Sequence, residues 1–300
     1  MAGSSGRWGL AGIAVGVVAG ALLSGAVYLY LAQPRDDAAS QSGSVQVLGS
    51  ESMRPAVTAC AEDFMTRNPD ADIIVKGGGS GDGVAALLHG LVDIGMTSRE
   101  LSQRERDYAG GRGFEVSVFP MALDGVTVVV NRANPVATLS IDQLREIFTG
   151  KIANWRELEG FDGEIMPFAR AAGSGTASLF GERALGEEEY GPSVQRLPTN
   201  EAIVAEVAAR RGAIGYAGLG ALRVGGDRVR AVALTAGAEP VHATPETIIA
   251  GTYPLSRTLF LATAGPPLGT AKAFVDFCLS PNGQALFQRA GYVSMKTAAR

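Results

Sequence analysis

The sequence predicts an α/β protein built on a mostly parallel sheet. Short apolar runs typical of strands alternate with longer runs that have helical spacing, and loops rich in glycine and serine join them. Such strand-loop-helix units favour a parallel sheet whose ligands bind at the carboxyl ends of the strands. The 46% apolar content and the 40 glycines among 300 residues are typical of a packed, turn-rich protein. Beyond residue 43 the chain is long enough for one large core or for two lobes.

The first part of the chain contains the clearest of these units. Residues 45–48 predict a strand, and Pro55 lies near a helix start, where its missing N–H is not needed. Residues 73–76 predict a second strand, and the helix after it has apolar residues at i, i+3, i+4 and i+7 from Val84. A short third strand follows at 93–96. All three strands belong to the predicted parallel sheet.

The middle of the chain predicts a crossover between two lobes. Residues 116–131 form a long β-like tract that Pro120 and the Asp124-Gly125 pair interrupt. Residues 248–260 are placed to carry the chain back to the first lobe, which a helical region at 272–287 would complete. Between these passages the pattern predicts a helix at 141–148, a strand at 165–168, a helix from about Ala177 and a strand at 213–216.

Three short loops combine small residues with hydroxyls, and each lies between an apolar run and a helix-like run. They span residues 49–53, 77–81 and 170–176. Helix starts leave backbone N–H groups unpaired, glycine lets an anion approach them, and hydroxyls add donors. The third loop adds the guanidinium of Arg170, which can bind two oxygens at once. Converging loops of this kind predict an oxyanion-binding site.

The N-terminal region predicts a membrane anchor. Residues 8–32 form an uncharged run of about 25 residues after Arg7, which is long enough to span a bilayer. The run lacks a clear small-x-small cleavage site, so we expect an uncleaved anchor, with a cleaved signal peptide as the alternative. The positive charge before the span favours a globular part outside the cytoplasm. Residues 33–44 are typical of a flexible tether.

Composition and motifs argue against several function classes. The net charge of −4 gives no support for nucleic-acid binding. The glycine runs lack the Gly-Lys-Ser/Thr of a nucleotide-binding loop, and no residue spacing predicts a metal site, so we expect no cofactor. A serine hydrolase is disfavoured because the three loops lack the Gly-x-Ser-x-Gly elbow, His89 lies among the polar positions of its helix and His242 lies in a loop-like stretch after Pro240. These observations predict binding without catalysis.

The two cysteines, Cys60 and Cys278, each occur with the apolar spacing of a helix. That spacing favours two buried thiols, which behave as small hydrophobic groups. A location outside the cytoplasm keeps a disulfide open as the alternative.

Five segments carry a resemblance to a known family. They are Gly49-Ser50-Glu51-Ser52-Met53-Arg54-Pro55, Gly79-Ser80-Gly81, Asp93-Ile94-Gly95-Met96-Thr97-Ser98-Arg99, Phe148-Thr149-Gly150-Lys151-Ile152-Ala153-Asn154-Trp155 and Arg170-Ala171-Ala172-Gly173-Ser174-Gly175-Thr176. In this order they resemble the periplasmic phosphate-binding proteins. These proteins are the solute-binding components of phosphate ABC transporters and belong to the type II periplasmic binding proteins. The last segment is similar to the family's Arg-x-x-Gly-Ser-Gly-Thr loop and is the most specific. The resemblance extends over residues 45–295.

The resemblance implies two α/β lobes that are joined by a hinge and close on dehydrated phosphate. It implies a monomer that delivers the ion to an ABC permease. The expected organisation is an anchor and tether at 1–43, a first lobe at 44–122, a second lobe at 123–245 and a return to the first lobe at 246–300. The ligands implied by position are Ser52, the Met53 N–H, Ser80, Arg170, Ser174, the Gly175 N–H and Thr176.

One position departs from the family pattern. Many members have an aspartate just after the third strand that accepts the proton of hydrogen phosphate, whereas this chain has Ser98 there, with Arg99 beside it. Without an acceptor the buried P–OH would be unpaired, and a fully ionised anion such as sulfate would be favoured. Asp124, in the predicted hinge, is the candidate replacement, and a purely structural hinge carboxylate is the alternative.

The departure leaves other functions open. A receptor for sulfate, molybdate or a phosphonate is the second interpretation. An uncleaved anchor would also suit a phosphate-sensing or adhesion module that does not feed a permease. A phosphoester hydrolase ranks last.

Overall fold

The computed structural model describes residues 44–237 and 239–295. The predicted anchor at 8–32 lies outside these residues, and so does the predicted tether up to residue 43. Among the described helices, none is long and apolar enough to cross a membrane.

Strands and helices alternate along the described chain. In chain order the strands are β1 (Ser44–Gly49), β2 (Asp72–Lys76), β3 (Ile94–Thr97), β4 (Val116–Asn131), β5 (Thr138–Ser140), β6 (Met166–Arg170), β7 (Gln195–Leu197), β8 (Ala213–Gly218), β9 (Val229–Ala231), β10 (Ala233–Thr235), β11 (Ser256–Ala264) and β12 (Val293–Ser294). The α-helices are α1 (Arg54–Arg67), α2 (Ser80–Leu88), α3 (Gln103–Gly111), α4 (Ile141–Thr149), α5 (Gly175–Phe180), α6 (Asn200–Ala209), α7 (Pro245–Ile249), α8 (Gly269–Leu279) and α9 (Pro281–Arg289). Short 3-10 or π turns occupy Trp155–Leu158, Gly181–Leu185, Leu219–Val224 and Gly226–Arg228.

The first half of the sheet contains the three predicted parallel strands. β1 lies between β2 and β3 and is parallel to both. β11 then pairs antiparallel with β3 on one side and with β4 on the other. The side chains of this part form one buried core, which includes Val47, Phe64, Met96, Leu261 and Phe274. The carboxyl ends of β1 and β3 therefore lie side by side, as the predicted ligand site requires.

The long strand β4 connects the two halves of the fold. Its residues 116–125 pair with β11, and its residues 126–131 pair antiparallel with β8 and β9. The strand is thus continuous where the sequence predicted an interruption, and the crossover is the strand itself. Within the pairing of β4 with β11, the expected break corresponds to a single β-bulge. The register shifts at this point, and Met121 has no cross-strand partner on β11.

The second half of the sheet has its own core. β8 lies between β4 and β6, and β7 is parallel to β6 at the edge. A separate two-stranded ribbon pairs β5 with β10. The core packs aromatic rings, with Phe180 stacked on Tyr216 at 3.9 Å between centroids and Phe148 edge-on to Phe180 at 4.8 Å. Each half of the sheet therefore has a hydrophobic core of its own, which is the architecture of two lobes.

Three predicted features differ in detail from the structure or had been left open. The region 272–287 is two helices, α8 and α9, because Pro281 starts the second one and Ser280 caps it. The helix expected from about Ala177 begins at Gly175. Cys60 and Cys278 are buried free thiols, the first of the two alternatives. Burial raises the pKa of the Cys278 thiol, and a hydrogen bond with Cys60 raises it further.

Candidate oxyanion site

The three glycine-serine loops meet at one place. The Ser52 and Thr176 hydroxyl oxygens, from the first and third loops, are 3.0 Å apart. The Gly81 N–H of the second loop donates to the Gly173 carbonyl of the third loop at 3.0 Å. Loops that are separated by about a hundred residues in sequence thus share one interior region.

The first loop is held against the third strand by its backbone. Gly49 has φ +143°, and a Cβ atom there would lie 2.1 Å from the Met96 carbonyl oxygen. Only glycine allows this approach, in which the Ser50 N–H donates to the same carbonyl at 2.9 Å. The turn brings the Ser52 hydroxyl into the interior, where the residue is 3% exposed. Met53 is fully buried and its N–H donates to the Ser50 carbonyl at 3.0 Å.

Ser80 and Ser98 form a second cluster of hydroxyls. Ser80 starts α2, and Ser98 directly follows β3. The Ser80 hydroxyl oxygen accepts from the Ser98 N–H at 3.0 Å and lies 3.1 Å from the Ser98 hydroxyl. A Cβ atom at Gly175 would lie 2.3 Å and 2.4 Å from these two hydroxyl oxygens, so the third loop packs directly on the pair. All three residues are therefore in one contact cluster.

The third loop combines a helix start with a buried cation. Ser174 caps α5, since its hydroxyl oxygen accepts from the N–H groups of Thr176 and Ala177 at 3.2 Å and 3.4 Å. Arg170, at the end of β6, is 2% exposed. Its terminal nitrogens donate to the Asn200 side-chain oxygen at 2.5 Å and to the Pro198 carbonyl at 2.8 Å. Its Nε has no hydrogen-bond partner within the described part of the chain.

Burial and a neighbouring cation disfavour the charge of Arg170. Desolvation, followed by the charge of Arg257, lowers the pKa of Arg170 to about 10, although Glu201 and Glu51 offset part of the effect. The group is still protonated at neutral pH. No ion pair to Arg170 exists among residues 44–237 and 239–295, so its positive charge is removed from water without a contacting carboxylate.

Asp124 is fully buried and forms an ion pair that the sequence did not predict. Arg257 donates to the Asp124 Oδ2 atom from Nε at 2.9 Å and from Nη2 at 2.6 Å. The Leu219 N–H donates to the other carboxylate oxygen, Oδ1, at 3.2 Å. Four acceptor positions exist on a carboxylate, so one position on Oδ1 is left for a further donor.

Arg257 and Asn200 are the site residues that sequence reasoning missed. Arg257 donates to the Thr176 hydroxyl at 2.9 Å and to the Ser52 hydroxyl at 3.2 Å, and the Asn200 amide donates to the Ser52 hydroxyl at 2.9 Å. A signal for Arg257 exists in the alternation of Leu255, Arg257, Leu259 and Leu261, which places a cation at an inward position of a strand. The start of α6 offers no comparable signal for Asn200.

Arg99 lies apart from this cluster. It forms an ion pair with Glu105 at 2.7 Å, and its pKa is raised mainly by the hydrogen bond to that carboxylate. It lines a cavity of about 700 Å³ that Arg257 also lines, together with Ser102, Leu123 and others. Of the ten predicted site residues, Arg99 is the one whose side chain has its polar contacts outside the cluster.

The cluster is suited to binding an anion. It contains two guanidinium groups, one carboxylate, several hydroxyls and the N-termini of α2 and α5. His89 and His242 are both exposed and lie outside it. Within the described residues, no group of three His, Cys, Asp or Glu side chains could hold a metal ion. Hydrogen-bond donors outnumber acceptors, and this is the chemistry of an oxyanion receptor.

A family model described as a PBP superfamily domain matches residues 36–282. The phosphate-binding protein PstS of Bacillus subtilis is 34% identical over 256 residues, which cover 84% of this chain and 81% of that protein. The chain belongs to the phosphate-binding proteins of the PBP superfamily. This is a family of transport proteins and not of enzymes.

Solved structures agree with this family membership. A phosphate ABC transporter substrate-binding protein from Clostridium perfringens, solved with bound phosphate, is 32% identical with a TM-score of 0.76, over 84% of this chain and 100% of that chain. An ABC-type phosphate transport receptor from Vibrio cholerae is 28% identical with a TM-score of 0.69, over 83% of this chain and 99% of that chain. The expected two-lobed periplasmic binding protein fold is therefore confirmed.

Proposed function

We propose that this chain is an extracytoplasmic receptor that binds inorganic phosphate between two lobes and delivers it to an ABC transporter. The observation that carries the proposal is the meeting of the three loops around a buried Arg170 that no carboxylate contacts within the described residues. The relatives with phosphate-binding names support phosphate as the ion. Other oxyanions are not favoured by these likenesses.

We assign the first lobe to residues 44–122 and 246–300 and the second lobe to residues 123–245. The proposed ligands then come from both lobes. Those of the first lobe are Ser52, the Met53 N–H, Ser80 and Ser98, and those of the second lobe are Arg170, Ser174, the Gly175 N–H and Thr176. Contacts made from both sides stabilise the closed form only when the ion is present, which couples binding to closure. Arg99 lines the cavity beside the site, but its ion pair with Glu105 compensates its charge, so we do not include it among the ligands.

Asp124 would accept the proton of hydrogen phosphate. The carboxylate is fully buried, and Oδ1 has an acceptor position that the Leu219 N–H leaves free. Sulfate has no proton to donate at neutral pH and would place its charge against the carboxylate. Asp124→Asn should therefore weaken phosphate binding far more than sulfate binding, and an equal loss of both would remove this assignment.

The available interactions are strong enough for useful affinity. Charge-assisted hydrogen bonds contribute about 1.5 to 3 kcal/mol each, and a micromolar dissociation constant corresponds to about 8 kcal/mol. Six to ten such bonds exceed that value before desolvation and lobe closure reduce the surplus.

Calorimetric titration of the full chain in detergent, with phosphate, sulfate and molybdate in turn, tests the proposal. We expect phosphate to bind with a dissociation constant of about 1 μM or lower and sulfate to bind at least about a hundredfold more weakly. Arg170→Ala should remove phosphate binding. A preference for sulfate or molybdate, or binding that survives Arg170→Ala, would contradict the proposal.

The finer points of location and assembly also belong to the proposal. Residues 8–32 would anchor the protein in the cell membrane, and carbonate-washed membranes should then retain a chain of full-length mass. All proposed ligands come from one chain, so a monomer suffices, and light scattering of the detergent complex tests this. Cross-linking in cells should capture an ABC permease. Recovery of a shortened, soluble chain would favour a cleaved signal peptide instead.

A further inference from the structure

Arg257 lies where β11 runs beside the crossover strand β4. It lies on β11 directly opposite Asp124 on β4 in the antiparallel register. The pair is buried, with Arg257 7% exposed and Asp124 fully covered. The backbone pairing of the two strands fixes directly opposite residues relative to each other, so the guanidinium has a defined position.

The guanidinium reaches beyond the carboxylate to the loops of the site. Nε and Nη2 donate to Asp124, while Nη1 donates to the Thr176 hydroxyl at 2.9 Å and Nη2 also contacts the Ser52 hydroxyl at 3.2 Å. Both hydroxyls belong to the proposed ligand set, one from each lobe. Arg257 therefore uses the same hydroxyls that a bound ion would use.

The charges of the site are not balanced within the protein. Arg257 is neutralised by Asp124, whereas no ion pair to Arg170 exists in the described ranges. Arg257 lies close enough to disfavour the charge of Arg170, and the Nε atom of Arg170 has no partner among the described residues. One net positive charge is thus buried, and an anion in contact with both guanidinium groups would compensate it.

We propose that Arg257 is a second guanidinium ligand of the bound oxyanion. On binding, its Nη1 and Nη2 atoms donate to anion oxygens, while Nε keeps the hydrogen bond to Asp124. The hydroxyls of Ser52 and Thr176, released from Arg257, then also donate to the anion. This inference rests on the proposed function and extends its ligand set.

The alternative is that Arg257 is a positioning residue, which only neutralises Asp124. Removing Arg257 alone cannot separate the two roles, because it also leaves a buried carboxylate unpaired. The useful comparison is between Asp124→Asn and the double variant Asp124→Asn/Arg257→Gln, since neither contains the unpaired carboxylate. An Arg257 that only neutralised Asp124 would have no role in phosphate binding left in the first of these variants.

The experiment is calorimetric titration of the full chain in detergent with inorganic phosphate, for the wild type and both variants. We expect the double variant to bind at least about tenfold more weakly than Asp124→Asn, because a charge-assisted bidentate contact is lost. A difference smaller than about threefold would overturn the inference. Asp124→Asn/Arg257→Lys, which keeps the charge but not the planar fork, should fall between the two.

A matched control removes the same charges from a surface ion pair. Arg67 and Asp63 pair at 3.1 Å on α1, with the Arg67 side chain exposed and the Asp63 side chain partly exposed, and Asp63→Asn/Arg67→Gln should bind like Asp63→Asn. Thermal unfolding without phosphate shows whether each variant is folded. If the wild type binds no phosphate, the proposed function fails, whereas equal binding by Asp124→Asn and the double variant overturns the role of Arg257 alone.

Discussion

Arg170 and Arg257 are both buried guanidinium groups, but their surroundings differ. Arg257 has Asp124 as its counter-ion, whereas Arg170 contacts only neutral oxygens. Burial, and then the charge of Arg257, lowers the pKa of Arg170 well below its usual range, to about 10, so its buried charge reduces the free energy of unfolding. This loss of stability is complete below about pH 10 and is relieved only as the pH rises above 10, towards the usual pKa of arginine.

This difference predicts opposite effects of the same substitution. Arg170→Met should raise the free energy of unfolding of the ligand-free chain by about 1 kcal/mol at pH 7, because a buried uncompensated charge is removed. Arg257→Met should lower it by about 3 kcal/mol, because Asp124 is left unpaired. Urea denaturation followed by circular dichroism measures both values. Equal destabilisation by the two variants would contradict the charge assignment of the site.

Gly175 sets how closely the third loop approaches the other two. A methyl group there would meet the hydroxyls of Ser80 and Ser98, which are 3.1 Å apart and already in contact with each other. Gly175→Ala should weaken phosphate binding at least about tenfold, since the loops can no longer close fully. The free energy of unfolding of the ligand-free chain should also fall, by about 1 to 3 kcal/mol, because the same methyl group overpacks a buried site.

A matched control for this prediction exists one turn and a half further along. A Cβ atom at Gly181 has nothing within 4 Å, so Gly181→Ala should bind phosphate like the wild type. Calorimetric titration of both variants checks the pair. Equal affinities for Gly175→Ala and Gly181→Ala would show that the loops lie further apart around the bound ion than they do in this structure.

Helix α9 supports the crossover strand β4 through one side chain. Gln284 is buried, and its amide donates to the carbonyls of Met121 and Cys278 at 2.9 Å and 3.0 Å. Met121 is the bulge residue of β4 that lacks a cross-strand partner. The Gln284 side-chain oxygen accepts from Ser294 and Met295, so the same residue also holds β12.

Gln284→Leu should therefore lower the free energy of unfolding by about 2 to 3 kcal/mol, because two buried carbonyls lose their donor. Gln288, one turn along the same helix, is exposed, and Gln288→Leu should change stability by less than about 0.5 kcal/mol. Chemical denaturation of the two variants measures the difference. A Gln284→Leu variant as stable as Gln288→Leu would show that the bulge needs no support from α9.

The sequence predicted the elements that local patterns determine. The strand-loop-helix units from β1 to β3 and the start of α5 depend on periodicity and capping within a few residues, and their bounds differ from prediction by one or two positions. The bulge at Met121 depends on pairing with β11, more than 130 residues away in the chain, and no local pattern encodes it. Pro120 marked the region correctly but suggested a break instead of a bulge.

The candidate site was predictable to the same extent. Its loops carry local signatures of glycine and hydroxyl residues, which also gave the family resemblance. Arg257 and Asn200 join the site only through the fold, because β11 returns beside β4 and α6 begins behind the third loop. Asp124 was identified as a candidate acceptor, but its partner Arg257 could not be identified from the spacing of the two residues in the chain.

The two halves of the sheet are not independent of each other. β4 contributes hydrogen bonds to both, and Ser52, Asn200, Thr176 and Arg257 form one hydrogen-bonded group that joins the loops of the two halves. Unfolding one half would break contacts that the other half needs. Calorimetry of the ligand-free protein should therefore show one cooperative transition for residues 44–295.

Phosphate should raise the Tm of this single transition, because the ion contacts both lobes of the folded state and has no site in the unfolded chain. At a free concentration of a hundred times its dissociation constant, a ligand adds about 2.7 kcal/mol. For a domain of this size, that corresponds to a rise in Tm of about 5–10 °C. Arg170→Met should remove the rise although its ligand-free Tm is not reduced. Two separate transitions, of which phosphate shifts only one, would mean that the ion binds within a single lobe and that the contacts between the loops do not couple binding to closure.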